Sequence, residues 1–268
     1  MDDTLAAKYA ALQTIITATG QVAVAYSGGV DSTLLLRVAA DCLPGRTVGL
    51  LAATPLQTEA ERADALRSAA AIDCPLEVLP LAPLSWPEFV ANPADRCYHC
   101  KKRIYGHFLA RIAASPGFVL MDGTNLDDLN EDRPGRRALQ EYGIQTPLLA
   151  ARLGKAEIRR LSRELGLSTW DKPSSSCLAT RIAAGLAVSE QRLQTVAQCE
   201  AHLHTLGFTN CRVRLDRDDT ARVELSAGDI ARFCAGPAWS SLNIFSKSLG
   251  IKKLLLDLSE RGGIVIYP

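Results

Sequence analysis

The chain reads as an α/β protein, with a parallel sheet carrying helices on both faces over residues 1–184 and a smaller C-terminal α+β domain over 185–268. Three observations predict it. Short apolar runs alternate with helical periodicities, the order of right-handed βαβ units. The first run, Val22-Ala23-Val24-Ala25-Tyr26, turns through Ser27-Gly28-Gly29 into a helical pattern, a junction used by sheets that hold ligands at their strand ends. Beyond Gly185 the pattern changes to one long helix, a strand pair, two further helices and a last strand.

The elements follow in order. Asp3–Thr19 is amphipathic and predicts a helix, Gln21–Tyr26 is the first strand, and Thr33-Leu34-Leu35-Leu36 opens a helix over Ser32–Cys42. Thr47–Ala53 is an apolar second strand, Gln57–Ala71 a helix rich in Ala and Glu, and Leu76–Pro80 a third strand. A long helix over Cys100–Ala114 precedes the fourth strand, Gly117–Met121. A helical pair covers Pro134–Tyr142 and Lys155–Leu165, with Gly166 as its terminal cap. In the second domain Ser189–Leu206 is a helix, and Cys211–Leu215 pairs with Ala221–Leu225 through Asp216-Arg217-Asp218-Asp219. Helices at Gly228–Phe233 and Ala238–Leu249 and a strand at Lys252–Leu256 complete a domain expected to be ferredoxin-like.

Composition bounds the chemistry. The 268 residues suffice for one large or two modest domains. With 47% hydrophobic and 22% charged residues and a net charge of +1, the chain has no basic excess on which a nucleic-acid binder would depend. No apolar run is long enough to span a bilayer. The acidic start Met1-Asp2-Asp3-Thr4 leads into a helix and is not a signal peptide, so a cytoplasmic, reducing location is expected. The eight cysteines are then expected as thiols, cluster ligands or nucleophiles rather than disulfides. Cys42, Cys74, Cys199, Cys211 and Cys234 lie in apolar or helical contexts and read as small hydrophobes.

The strongest chemical signal is Ser27-Gly28-Gly29-Val30-Asp31-Ser32. Glycines allow close backbone approach, N–H groups and the helix dipole favour phosphate, and the serines add hydroxyl donors. No lysine closes the loop, so this is not the Walker pattern. The string matches SGGxDS, the signature of PP-loop pyrophosphatases, enzymes that split ATP between its α and β phosphates. After the fourth strand, Asp122-Gly123-Thr124-Asn125-Leu126-Asp127-Asp128 offers small and polar residues that can line the same pocket. Gly123, Thr124, Asn125 and Asp128 are read as nucleotide contacts, with Asp31 and Asp127 as candidate metal ligands on phosphate oxygens. Arg133 and Arg136, just beyond, could clamp phosphate or carboxylate.

Two cysteine motifs remain. Cys177 stands on a loop in Asp171-Lys172-Pro173-Ser174-Ser175-Ser176-Cys177, where Lys172 and Arg181 are near in sequence and nearby cations favour the nucleophilic thiolate. Cys97-Tyr98-His99-Cys100 is a C-x-x-C at a loop–helix junction: a redox pair, part of a zinc site, or two ligands of an iron–sulfur cluster. There is no second C-x-x-C, which disfavours a four-cysteine zinc site. Zinc on Cys97, Cys100, Cys177 and a histidine stays open, as does a three-cysteine [4Fe–4S] cluster whose fourth iron binds an extra sulfide. His99 reads as an exposed polar residue.

Together SGGVDS, DGTNLDD with the following RPG, the TPL…KAEIRRLSRELGL segment and DKPSSSCLATRI resemble the LarE family over most of residues 15–260. Its members are ATP-dependent sulfur transferases of nickel-pincer nucleotide biosynthesis, which supplies lactate racemase. The resemblance implies a PP-loop (adenine nucleotide alpha hydrolase-like) domain acting with magnesium on pyridinium-3,5-biscarboxylic acid mononucleotide. Each carboxylate would be adenylated and then converted to a thiocarboxylate. Cys177 matches the reactive cysteine, and the presence of Cys97 and Cys100 resembles the members that use a [4Fe–4S] cluster. Arg181, Arg212 and Arg214 resemble substrate-binding arginines, the last two sharing one strand face by alternation. Glu200, Glu224 and Asp229 resemble acidic metal or substrate contacts. Nickel-insertion and lactate racemase pathway proteins would be partners, the chain would form a homo-oligomer, and neither membrane nor nucleic acid is expected.

A PP-loop tRNA thiolase is the alternative, opposed by the near-neutral charge and the lack of an added RNA-binding module. An amidotransferase or NAD synthetase-like enzyme explains the loop but leaves the three cysteines idle. A non-enzymatic nucleotide-sensing module would bind ATP without releasing AMP or pyrophosphate.

Overall fold

The computed structural model describes residues 1–129, 134–173 and 176–259. In chain order its elements are α1 (Asp3–Thr17), β1 (Val22–Tyr26), α2 (Val30–Cys42), β2 (Thr47–Ala53), α3 (Glu59–Ala70), β3 (Leu76–Pro80), α4 (Pro87–Val90) and α5 (Arg96–Ala113). Then come β4 (Val119–Asp122), α6 (Gly135–Glu141), α7 (Pro147–Ala150), α8 (Lys155–Glu164), α9 (Glu190–Thr205), β5 (Cys211–Leu215), β6 (Thr220–Leu225), α10 (Ala227–Ala235), α11 (Ala238–Ser248) and β7 (Lys253–Leu256). No helix among the described residues is long and apolar enough to cross a membrane.

The chain divides into two compact units, Met1–Pro83 with Asp95–Ser175 and Leu84–Ala94 with Ser176–Pro268. The second unit thus starts at Ser176 and also claims an inserted segment from the first half of the chain. Asn92 shows why. Buried and at φ +53°, it donates from Nδ2 to the Ala183 and Leu186 carbonyls at 2.8 Å each and accepts from Gly185 N at 2.8 Å.

In the first unit the four described strands form a parallel sheet in the order β3-β2-β1-β4. Alternate side chains of β1 enter opposite cores, as the period of two requires. Val22, Val24 and Tyr26 join Leu34, Leu35, Ile158 and Leu161 of α2 and α8, whereas Ala23 joins Tyr105, Phe108 and Leu139 of α5 and α6. Helices thus cover both faces. Asp2 caps α1 by accepting from Leu5 N at 2.9 Å, and Thr58 with Glu61 forms a reciprocal capping box on α3. The chain walks β1, β2, β3 to one side and returns to β4 on the other. The reversal, where ligands lie in open α/β sheets, falls between the carboxyl ends of β1 and β4.

In the second unit β5 and β6 are antiparallel around Asp218 and Asp219, both at positive φ, and β7 lies parallel to β6. The expected ferredoxin-like arrangement is not met. That fold interleaves its strands antiparallel, whereas here α10 and α11 carry the chain back so that β7 joins the edge of β6 in the same direction.

Candidate functional site

The loop between β1 and α2 is held by its own serines. Ser32 Oγ accepts from Ser27 N at 3.2 Å, lies 3.1 Å from Ser27 Oγ and donates to the Gly29 carbonyl at 3.2 Å. Gly29 caps α2, and the first intrahelical bond runs from Thr33 N to Gly29 O at 3.0 Å. The N–H groups of Val30, Asp31 and Ser32 precede that bond, so the loop ends in a donor-rich helix terminus. The two glycines differ. Gly28 sits at φ +73°, and a Cβ there would come within 2.8 Å of Ala65 Cα in α3. Gly29 has ordinary φ, and a Cβ would meet only Ser27 Oγ at 3.5 Å.

The segment after β4 packs directly on this loop. A Cβ on Gly123 would lie 3.0 Å from Ser32 N and 3.3 Å from Asp31 Cβ, so the absent side chain brings the two strand ends together. Asn125 Nδ2 donates to Asp31 Oδ1 at 3.3 Å, and Asp128, itself buried, accepts from Asn125 N at 3.0 Å. Thr124 bonds the Asp122 carboxylate through both its amide and its hydroxyl. Asp127 accepts from Lys155 N at 2.5 Å. Gly123 and Asn125, with Asp128 behind Asn125, thus meet the start of α2, while Thr124 holds Asp122 and Asp127 holds the start of α8. Arg136 donates to the Asp128 carbonyl at 3.4 Å; Arg133 lies outside the described residues.

Two lysines from the KAEIRR and DKPSSS segments complete this end of the sheet, and no motif had tied either to the Ser27–Ser32 loop. Lys155, the first residue of α8, places Nζ on Asp31 Oδ2. Lys172 donates from Nζ to the Gly28 carbonyl at 3.1 Å. Its backbone is held by Arg159, which donates to the Trp170 and Lys172 carbonyls at 2.8 and 2.7 Å. Burial pushes the Asp31 carboxyl above the usual aspartate range; Lys155 opposes that rise and Asp128 adds to it.

Helix α5 begins at Arg96, four residues before the expected start, so the C-x-x-C lies within its first turn and a half rather than at a junction. Cys97 and Cys100, three residues apart, share one helical face near a terminus that favours anions. Cys97 is exposed and Cys100 half-buried. His99 Nε2 sits 3.4 Å from Asp95. One turn on, Tyr105 donates to the half-buried Asp122 carboxylate, with Lys101 Nζ at 3.9 Å. Burial alone would raise the Asp122 pKa, but Lys101 and the bonds from Thr124 and Tyr105 prevail and lower it. The Tyr105 hydroxyl is pushed well up by burial and by Asp122.

In the second unit Cys177 precedes a 3₁₀ turn, Leu178–Arg181. Its carbonyl accepts from Thr180 N at 3.0 Å, Thr180 Oγ1 at 2.8 Å and an Arg181 guanidinium nitrogen at 3.1 Å. Ser174 and Ser175 lie outside the described residues. Arg181 is 7% exposed and bonds Glu200 Oε1 at 3.1 Å and Ser176 Oγ at 2.8 Å. Its guanidinium is directed inward, where it clamps the Cys177 turn. Glu200 also accepts from Val213 N at 3.0 Å, and Asp229 bonds Ser226 and Arg232 at 2.7 Å each. Both acidic residues are thus engaged by neighbours in their own unit. Arg212 and Arg214 do share one face of β5, across from Glu224 and Arg222 of β6. Arg214 bonds Glu224 and donates to the Thr180 carbonyl at 2.8 Å, and Arg222 bonds Asp257 at 2.6 Å.

None of the eight cysteines is in a disulfide. Cys199 and Cys211 are buried as expected of small hydrophobes and Cys42 and Cys74 half-buried, but Cys234 is exposed. Burial pushes the Cys74 and Cys199 thiols up to about 11, so neither is a thiolate near neutrality. Among the described residues no three His, Cys, Asp or Glu side chains converge as a metal set. Cys97 and Cys100 belong to the first unit and Cys177 to the second. In chemical kind the three thiols suit an iron–sulfur cluster, and two of them stand on one helical face.

No protein-family model matches the chain. Among curated proteins, pyridinium-3,5-bisthiocarboxylic acid mononucleotide synthase of Lactiplantibacillus plantarum is 34% identical over 257 residues, 95% of this chain and 92% of the relative. An uncharacterized protein of Synechocystis sp. is 36% identical over 88% of this chain and 87% of its own length. Another, from Methanocaldococcus jannaschii, is 30% identical over 76% of this chain and 77% of its own.

Proposed function

The chain belongs to the LarE family, and on that premise we propose that it makes the thiocarboxylates of pyridinium-3,5-bisthiocarboxylic acid mononucleotide from the biscarboxylic acid, ATP and a sulfur donor. The observation that carries this reading is the match along 95% of the chain to a synthase of that compound, joined to the donor-rich Ser27–Ser32 loop at the sheet's reversal point.

A substrate carboxylate oxygen attacks the α phosphorus of ATP and pyrophosphate leaves. A sulfur nucleophile then attacks the acyl carbon of the mixed anhydride, and AMP departs with the carboxyl oxygen. The chain's part in the first step is charge stabilisation. N–H groups at the start of α2, with Ser27 and Ser32, receive the β and γ phosphates, and Gly29 leaves room for them. Asp31 and Asp127 would hold the magnesium that accompanies the nucleotide. Arg212 and Arg214 would meet the substrate's phosphate, and Arg181 fixes the backbone that presents Cys177. When bound by Cys97, Cys100 and Cys177, a [4Fe–4S] cluster would supply an iron able to carry the transferred sulfide.

Intact protein mass before and after anaerobic turnover with ATP, magnesium and the biscarboxylic mononucleotide tests this reading, with iron and labile sulfide counted on the same sample. Unchanged mass, thiocarboxylate product and bound iron are expected. Loss of one hydrogen sulfide from an iron-free protein would overturn the cluster and make Cys177 the sacrificed donor. Absence of AMP and pyrophosphate would overturn the enzyme. Cys177→Ala is expected to abolish thiocarboxylate formation while pyrophosphate release continues.

A further inference from the structure

Lys155 is in an unfavourable place unless something there needs it. It is the first residue of α8, and a cation in a helix's first turn faces the positive end of the dipole. Its amide donates to Asp127 and its ammonium is drawn to Asp31, in the first turn of α2. Two helix N-termini and a lysine therefore share one small volume, with the Asp31 and Asp127 carboxylates against the lysine. Lys172 brings a second ammonium to the same loop, using one of three donors on the Gly28 carbonyl. The loop's own sequence contains no lysine.

We propose that Lys155 and Lys172 close the Ser27–Ser32 loop on the polyphosphate of the nucleotide, Lys155 exchanging the Asp31 carboxylate for a phosphate oxygen. The inference rests on reading the loop as a polyphosphate site. A phosphate group carries more charge than a carboxylate, so the ammonium gains by the exchange. Two elements far along the chain, the start of α8 and the segment held by Arg159, then do jointly what the final lysine does in a Walker loop.

Calorimetric binding of pyrophosphate to the full chain in metal-free buffer is the test. Lys155→Met and Lys172→Met should each weaken binding roughly ten- to hundredfold, and Lys155→Arg should recover most of the loss. The alternative, that Lys155 merely neutralises a half-buried Asp31, is separated by Asp31→Asn. That variant alone should bind pyrophosphate at least as well as the parent, and the Asp31→Asn/Lys155→Met pair should stay weak. Parent-like binding by Lys155→Met, or recovery in the double variant, overturns the role of Lys155; parent-like binding by Lys172→Met overturns that of Lys172. A parent protein that binds neither pyrophosphate nor ATP overturns the loop reading itself. Thermal melts of each variant report folding, and the charge-neutral double variant guards against loss of fold in Lys155→Met.

Discussion

Gly28 and Gly29 stand side by side after β1, yet a methyl group would meet different surroundings at each. At Gly28 it would enter a left-handed backbone and press on Ala65 of α3. Gly28→Ala should destabilise the fold by about 2–4 kcal/mol. Gly29→Ala adds a methyl in ordinary contact with Ser27 Oγ at normal φ and should change stability by less than about 0.5 kcal/mol while suppressing pyrophosphate release. Melting curves beside a pyrophosphate assay separate the two. Asp122 gives a prediction in pH. Its folded pKa lies below 3.8, so the native state binds that proton more weakly than the unfolded chain. Its contribution is complete above that value and lost as pH falls through the folded pKa. Asp122→Asn should flatten the decline of stability below about pH 4, measured by denaturant titration across that range.

At the scale of elements, the buried pair Arg181–Glu200 joins the Cys177 turn to α9, and Glu200 also holds β5 through Val213 N. Glu200→Ala would leave Arg181 in the interior without its counter-charge, at a cost of about 3–5 kcal/mol. A change under about 1 kcal/mol in urea unfolding would show that the pair contributes no more than a surface bridge. This inward role was not legible in the sequence, where Arg181 reads as one cation beside a loop cysteine. The strands were legible: Thr47–Ala53, Leu76–Pro80 and Cys211–Leu215 occupy the bounds their apolar patterns predict. So was the loop–helix junction of β1 and α2, since it is built from neighbours in sequence. The loop contacts of Lys155 and Lys172 were not, because they reach Asp31 and Gly28 from 124 and 144 residues away, and periodicity carries no such information.

At the scale of the molecule, the chain passes between its two units three times, because Leu84–Ala94 belongs with the residues after Ser175. No cut near Gly185 yields two complete pieces. A fragment of residues 176–268 lacks Trp86, Phe89 and Asn92, all buried in the whole chain, and should be poorly folded by circular dichroism. Adding a peptide of residues 84–94 should restore order. A well-ordered fragment without the peptide would show that the inserted segment is dispensable.

Asn92 also sets a clock. Its bond to the Ala183 carbonyl spans 91 residues, and a ribosome adding about 5–20 residues per second takes roughly 5–18 s to deliver the partner. For that interval Val90 and Asn92 wait for the partners that hold them in the finished chain, Ala183, Gly185, Leu186 and Val188. The nascent chain therefore carries polar groups whose final bonds are not yet made in this segment through the middle of its synthesis, and the second unit can close only after translation has passed Val188.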